Sequence, residues 1–572
     1  MSIKKHYTNY NNWRKTKNPD APQVKLPVFE SWMKETLGDD AIASNDALDD
    51  SAYERFVAWK TTQDATQAAQ DAAAGAAALE AARREKLEKI VAMGIDPWGH
   101  RRDDLMPITE VRNLADQVPS PEKREAENAT GPRVVVAGRI MLLRPSGKVI
   151  WTNIKDRTGS IQVMIGKQQV GERNFTLAQC FDLGDLIVAE GELSYTRTGE
   201  LTIFADKLDF MAKSINTPPD KHSGLADREM RQRMRYIDLI HTPGTLERFQ
   251  NRSRIIQSVR RTLDDLGFIE TEGPTLHAIA GGAAARPFIT HHNALDMQLY
   301  LRIALELHLK RLLVGGMERV YEIGRVYRNE GVDTRHNPEF TMIEIYQAFG
   351  DYHTMMDVSE QIILNAIRAT GREINEGEKV VLPWGENDSI DFTPPFARRK
   401  YYDLVQEYAG IDPRDNDAVK AKAVALGLDV AGKHPDVILN DVFEETVESN
   451  LQNPTFVYDY PESICPLTKR STSDPSIAER FELFVKGMEL GNAYTELNDP
   501  DLQERLFTKQ LEGQAEEDSM AKMDHDFIRA LRYGMPPAGG LGIGIDRLVM
   551  LLTNSQNIRD VILFPLLRME NN

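Results

Sequence analysis

Only two of the 572 residues are cysteines, Cys180 and Cys465. That excludes a disulfide framework and a cysteine-rich zinc site, and it fits a reducing, cytoplasmic setting. No apolar run reaches the roughly 18–20 residues that a bilayer-spanning helix needs. The opening MSIKKHYTNYNNW lacks the apolar core of a secretory signal. Net positive charge is lacking too. The sum is −18 at pH 7, so any contact with nucleic acid must rest on a local basic surface. Neither a G-x-x-x-x-G-K-[ST] phosphate loop nor an H-E-x-x-H zinc motif occurs. The C-terminal GLGIGIDR, residues 540–547, lacks the third glycine of a dinucleotide fingerprint and reads as a strand-to-helix turn.

What is present divides the chain. Hydrophobic residues make up 41% and charged residues 27%, the balance of a globular protein whose length implies several domains. Residues 1–80 read as an N-terminal extension, partly disordered or helical. Its first 25 residues carry six Lys/Arg against one Asp, interleaved with Tyr7, Tyr10 and Trp13; they could touch RNA, but a solvated extension is the simpler expectation. Residues 39–50 are acidic. The alanine-rich tract 66–94 predicts one long, largely exposed helix, interrupted at Gly75 and ended by Pro97 and Gly99. A helical lead-in occupies 81–131. From 132 to 216, short β-branched runs alternate with Gly and Asp turns, which predicts a five-stranded OB-type barrel. This stretch is locally basic, and Arg144 and Lys148 precede Trp151, a ring suited to stacking on an unpaired base. Residues 217–245, where Arg228, Arg231, Arg233 and Arg235 crowd together, form a linker. Residues 246–572 mix strands and helices, with a small helical insert at about 376–450. The fold class is therefore α+β and multidomain.

Two segments carry the chemistry. In RNEGVDTRHNPEFTMIEIY, residues 328–346, the period of two puts Phe340, Glu344 and Tyr346 on one strand face and Ile343 and Ile345 on the other. With Arg328 on the preceding strand, that face offers a guanidinium fork, a ring and a carboxylate. In FELFVKGMELGNAYTELND, Glu482, Glu489 and Glu496 recur every seven residues in an apolar context, and Asn492, Tyr494 and Glu496 alternate. Buried carboxylates are costly unless they meet a cation, either Mg²⁺ or an organic ammonium.

From about residue 81 onward, these stretches resemble the bacterial-type lysyl-tRNA synthetases of class II (subclass IIb). RVYRNEGVDTRHNPEFTMIEIY resembles motif 2, and GLGIGIDRLVMLLTNSQNIRDVILFPLLR resembles motif 3. GFIETEGPTL resembles motif 1, with an unusual Gly273. GGAAARPFITHHNALD and LRIALELHLKR resemble the lysine-specific members. The resemblance implies a class II antiparallel sheet flanked by helices over 246–572, an anticodon-binding barrel over 132–216, and a homodimer. It implies activation of L-lysine by ATP to lysyl-adenylate, then transfer to the 3′ end of tRNA-Lys. Arg328 and Arg547 would be catalytic. ATP would be held by Arg328, Glu330, His336, Asn337, Phe340, Glu482, Glu489, Gly544 and Arg547, with adenine between Phe340 and Arg547. Glu482 and Glu489 would hold Mg²⁺, up to three ions per site. Lysine would meet Gly282, Glu306, Arg328, Glu344, Tyr346, Asn492, Tyr494 and Glu496. The anticodon would meet Arg144, Trp151, Gln162 and Glu200. Leu305 and Cys465 stand where relatives often carry proline and serine.

Three competing readings are a silent RNA-binding or regulatory relative, a lysyltransferase that modifies a protein, and an enzyme for aspartate or asparagine. The first should lack Arg328, Arg547 or the two glutamates, and the second the barrel. The third conflicts with an acidic pocket, which rejects aspartate by like charge.

Overall fold

The computed structural model describes residues 3–37, 48–120, 123, 128–218, 225, 227–283, 285–375, 377–511 and 523–569. They fall into two compact units, Met1–Asp220 and Lys221–Asn572. Among the described residues no helix is long and apolar enough to cross a membrane.

The first unit has two cores joined by one helix. Helices Ile3–Lys17 and Leu26–Trp32 pack against the start of helix Asp50–Ala92. Tyr10, Phe29, Trp32 and Phe56 are fully buried there, with neighbouring ring centroids 4.9–5.6 Å apart. The extension is therefore packed over these residues rather than solvated, and Tyr10 and Trp13 are spent on a core instead of being free to stack on RNA. Most of the acidic stretch, positions 39–47, lies outside the described residues. The long helix runs through Gly75 unbroken, since alanines around it sustain helix and a Cβ there would meet nothing. It stops at Met93–Gly94, with Gly94 at φ +71°, earlier than Pro97. Its C-terminal part is anchored to the barrel: Ile90 enters the barrel core, and Arg83 Nη1 donates to the carbonyls of Leu183, Ser214 and Asn216 at 2.7–3.2 Å.

The barrel is closed in the order β1-β2-β3-β5-β4. Its strands are β1 (Arg133–Ser146), β2 (Val149–Lys155), β3 (Ser160–Gly166), β4 (Leu186–Tyr195) and β5 (Leu201–Ala212). Alternation along β2 buries Ile150, Thr152 and Ile154 and turns Trp151 outward.

In the second unit short strands come first: β6 (Ile269–Glu270), β7 (Leu276–His277), β8 (Ile289–His292) and β9 (Met297–Leu301). The hairpin β10 (Arg319–Tyr327) and β11 (Glu339–Ala348) follows, then the small hairpin β12 (Val381–Trp384) and β13 (Asp388–Asp391). The remaining strands are β14 (Ala397–Lys400), β15 (Thr455–Pro461), β16 (Ile477–Val485), β17 (Met488–Thr495) and β18 (Ala538–Gly544). Eight of them form one sheet, β14-β15-β16-β17-β18-β11-β10-β6, antiparallel except at its two edge pairs. Ile343 and Ile345 of β11 enter the main core, beneath helices Thr245–Asp265 and Tyr352–Ala369. The insert is not wholly peripheral. β14 joins the sheet, and its three helices share a core with Val457, Ala478 and Phe484 of the sheet strands.

The arginines of 228–235 are structural. Arg235 is fully buried, donates to Asp238 at 2.6 Å and caps the carbonyls of Arg559, Ile562 and Leu563. Arg228 pairs with Asp560 and Arg233 with Glu229. Positions 219–224 and 226 of the linker lie outside the described residues.

Candidate active site

Three adjacent strands, β11, β18 and β17, build the site row by row. β18 lies between the other two, and its alternate residues Gly540, Gly542 and Gly544 present no side chain on the site face. The register sets Glu344, Gly542 and Asn492 in one row and Tyr346, Gly540 and Tyr494 in the next. Cross-strand partners share a face, so the glycines leave a trough between walls supplied by β11 and β17.

At one end of the trough lies a cleft enclosing about 940 Å³ of empty space, open to solvent. Arg328, Phe340, Asn337, His336, Glu489 and Arg547 line it, as do Glu330, Asn492 and Gly544. The guanidinium of Arg328 lies 5.2 Å from the Phe340 ring centroid, a cation–π contact; this ring face carries Arg328 in the free protein. Arg547 Nη1 donates to the Glu489 carbonyl at 2.5 Å, and its Nη2 lies 3.1 Å from His336 Nε2. Because Arg547 can only donate, His336 accepts at Nε2 and carries its proton on Nδ1, 2.8 Å from Asp333 Oδ2. Asn337 donates from Nδ2 to the Glu339 carbonyl at 2.6 Å, and its buried Oδ1 has no partner. Asp546 ties motif 3 to β11, accepting from the Thr341 N–H at 2.7 Å and from Arg252 at 2.5 Å.

At the other end is a buried acidic cluster that forms the closed end of the trough. Glu306, Glu344 and Glu496 are 6%, 5% and 1% exposed. Glu344 accepts the Leu305 N–H at 2.9 Å and the Tyr346 hydroxyl at 3.1 Å. Burial, reinforced by the Glu306 charge, pushes Glu344 up to about 7. Burial raises Glu496 while the neighbouring Lys310 opposes the rise. Gly282, at φ +88°, sits against Glu306: a Cβ there would lie 3.4 Å from Glu306 Cβ.

Glu482 and Glu489 lie near Asn492, which pairs with Glu482 across β16–β17 and donates to Glu489 Oε1 at 3.0 Å. Glu482 is raised chiefly by burial, and Glu489 adds to the rise. Two carboxylates that repel each other beside a polar cleft suit a magnesium ion shared with phosphate oxygens. Among the described residues no group of three or more His, Cys, Asp or Glu could hold a metal ion; such a shared site does not require one.

Sequence reasoning missed three features. Arg480 is half-buried, pairs with Glu482, lies 3.4 Å from Cys465 Sγ and stacks over Tyr460 and Tyr494 at 4.8 and 5.5 Å. Arg335 reaches the same cleft and donates to the Gly487 carbonyl at 2.9 Å. Gly540 and Gly542 form the trough floor, and their spacing of two was the available signal.

On the barrel, Arg144 pairs with Trp151, and Gln162 pairs with Asn153, two residues along β2 from Trp151. These side chains therefore share the outer face of β1-β2-β3. Gln162 Oε1 accepts from Thr202, which also donates to the Glu200 carbonyl.

A class II synthetase sheet carrying a nucleotide-sized cleft, together with an OB barrel, defines the class of protein. A family model described as "tRNA synthetases class II (D, K and N)" matches residues 227–568, and one for the "OB-fold nucleic acid binding domain" matches 134–210. The lysine–tRNA ligase of Moorella thermoacetica is 47% identical over 496 residues, covering 86% of this chain and 98% of its own. Those of Staphylococcus epidermidis and Staphylococcus aureus strain MW2 are each 48% identical, over 85% of this chain and 97% of theirs. The chain belongs to the lysine–tRNA ligase family of the class II synthetases.

Proposed function

We propose that the protein activates L-lysine with ATP and transfers the lysyl group to the 3′ end of tRNA-Lys. The observation that carries this reading is the buried pocket of three carboxylates at the end of a trough whose other end is the arginine-lined cleft. The substrate carboxylate attacks the α-phosphorus of ATP, and pyrophosphate leaves. A carboxylate nucleophile has no proton to lose, so the site needs positioning and charge stabilisation rather than a general base. Arg328, between cleft and pocket, suits the contact with both the α-phosphate and the lysine carboxylate. Adenine stacks on Phe340 once Arg328 turns to phosphate, and Arg547 covers its other face. Glu330, His336, Asn337 and Gly544 position the nucleotide, with the free Oδ1 of Asn337 accepting from it. Glu482 and Glu489 are the residues that would hold Mg²⁺, which when bound neutralises phosphate oxygens. Gly282 and Glu306 take the α-amino group. Glu344, Tyr346, Asn492, Tyr494 and Glu496 take the side chain.

The outer barrel face, with Arg144, Trp151, Gln162 and Glu200, suits unpaired anticodon bases. We place the enzyme in the cytoplasm as a homodimer; exposed Ile269, Leu276, Ile289 and Met297 on β6–β9 support an apolar interface. The retained barrel and the intact arginine and glutamate set weigh against a protein-modifying transferase and a silent relative. Lysine-dependent ATP–pyrophosphate exchange followed by charging of tRNA-Lys is the test. Exchange with aspartate but not lysine overturns the substrate assignment, and exchange without charging overturns the acceptor.

A further inference from the structure

Among the described residues, Lys310 is the one cation set inside the acidic pocket. It lies one turn along helix Glu306–Val314 from Glu306. Its ammonium is 0% exposed and stands 2.5 Å from Glu306 Oε1 and 2.5 Å from Glu496 Oε2. The other charged or titratable groups acting on the pocket among the described residues include Glu344 and Tyr346 from β11, Tyr494 from β17, and Arg328 beyond β10. Glu496 meets Lys310 as an ion pair, and neither of its buried carboxylate oxygens has a hydrogen-bond partner.

A lone buried ammonium is expensive, and so are three buried carboxylates. Three carboxylates and one lysine leave the pocket at −2 when all are ionised. A substrate lysine brings two ammonium groups, and its carboxylate is left to Arg328. The two charges then match. Without Lys310 the pocket would hold −3 against +2, and one carboxylate would take up a proton to relieve the excess, losing its grip on an ammonium.

We propose that Lys310 is a specificity-determining positioning residue: a built-in counterion that spans the carboxylates assigned to the two ends of the substrate, offsets their negative charge and fixes their spacing. It touches neither ATP nor the reacting atoms, so its effect falls on lysine. This rests on the reading of the pocket as a lysine site.

The test is ATP–pyrophosphate exchange on the full-length protein with Lys310→Met, which keeps the length and apolar stem and removes the charge. The lysine KM is expected to rise by at least about tenfold while the ATP KM stays within about twofold, the split that a lost ligand-specific charge produces. The acidic limb of the lysine KM-against-pH profile is expected to move up by at least about one pH unit, because Glu496 loses a cation at contact distance. A structural role alone would lower thermal stability and leave that limb in place. A lysine KM within twofold of wild type and an unmoved limb overturn the proposal. Lys310→Gln, smaller and neutral, carries the same expectation where the methionine variant does not fold. Absence of lysine-dependent exchange in the wild-type protein overturns instead the lysine reading beneath it.

Discussion

Gly540→Ala adds one methyl group at the most constrained point of the trough. Its Cβ would lie 1.8 Å from Glu496 Oε1 and 2.6 Å from Tyr346 Cε1, against a practical limit of 3.0 Å. The backbone cannot retreat cheaply, because Gly540 is paired with Tyr346 on one side and Tyr494 on the other. Tyr346 is buried and bonded to Glu344, so the carboxylate of Glu496 must move by more than 1 Å. From 2.5 Å, a shift of that size away from Lys310 breaks the close contact of the ion pair. Breaking a buried ion pair costs about 3–5 kcal/mol; Lys310 keeps Glu306, so about 3 kcal/mol is the appropriate figure. At about 1.4 kcal/mol per decade, kcat/KM for lysine falls by about 100-fold. The assay is pyrophosphate exchange with lysine and ATP varied in turn, and the ATP KM should change less than about threefold. Gly542→Ala is the control. Its Cβ would meet Asn492 Oδ1 and Met342 Cε at 3.5 Å, ordinary contacts, so its lysine KM should move far less. A folded Gly540→Ala enzyme within fivefold of wild type for lysine would refute the argument that Glu496 is pinned against this glycine.

Other consequences concern pH, the barrel and the extension. Glu344 is pushed up to about 7 in the empty pocket, so below that pH it is protonated and must release a proton before it can serve an ammonium. The lysine KM should therefore rise as pH falls below about 7, approaching tenfold per pH unit, and be flatter above it; a KM unchanged between about pH 6 and 7.5 contradicts this. Trp151→Ala removes a ring on the outer barrel face, at about 1–3 kcal/mol per stacked base. The KM for tRNA should rise about tenfold or more with exchange untouched, and loss of exchange would count against the assigned role. Trp32→Ala empties a fully buried site in the N-terminal core and should cost about 3–5 kcal/mol there. Faster proteolysis of the first helices, with exchange intact, is the expected readout; unaltered proteolysis would mean that this core is not cooperative.

Strand periodicity carried much of the site into view. The alternation in β11 separated Phe340, Glu344 and Tyr346 from Ile343 and Ile345 without any knowledge of neighbours, because a sheet with one buried face imposes that period. The barrel was legible for the same reason. The N-terminal core was not. Its aromatics are scattered over three helices, and a basic, aromatic stretch looks alike whether its rings face water or one another. Gly540 and Gly542 were passed over as a turn because their meaning depends on the strands either side of β18, which come from 190 residues upstream and from β17. Lys310 and Arg480 escaped for a related reason. A lysine in ELHLKR and an arginine in AERFE are ordinary surface residues by type, and only the fold reveals that each is paired with a carboxylate away from bulk water.

The pocket's discrimination follows from charge more than from shape. An aspartate side chain would add a negative group to a site that is at −2 when its carboxylates are ionised, and could recover only by protonating. An asparagine amide would leave buried carboxylates short of a cation, and a site built around a polar partner strongly rejects an analogue that lacks it. The rejection works only while the carboxylates stay ionised, and burial alone would protonate them. Burial alone pushes Glu344 and Glu496 toward the neutral form; the Leu305 N–H, the Tyr346 hydroxyl and Lys310 work against it. Selectivity is thus vested in the groups that hold the carboxylates as much as in the carboxylates themselves. Substitutions that never touch the substrate should therefore shift which amino acid is accepted.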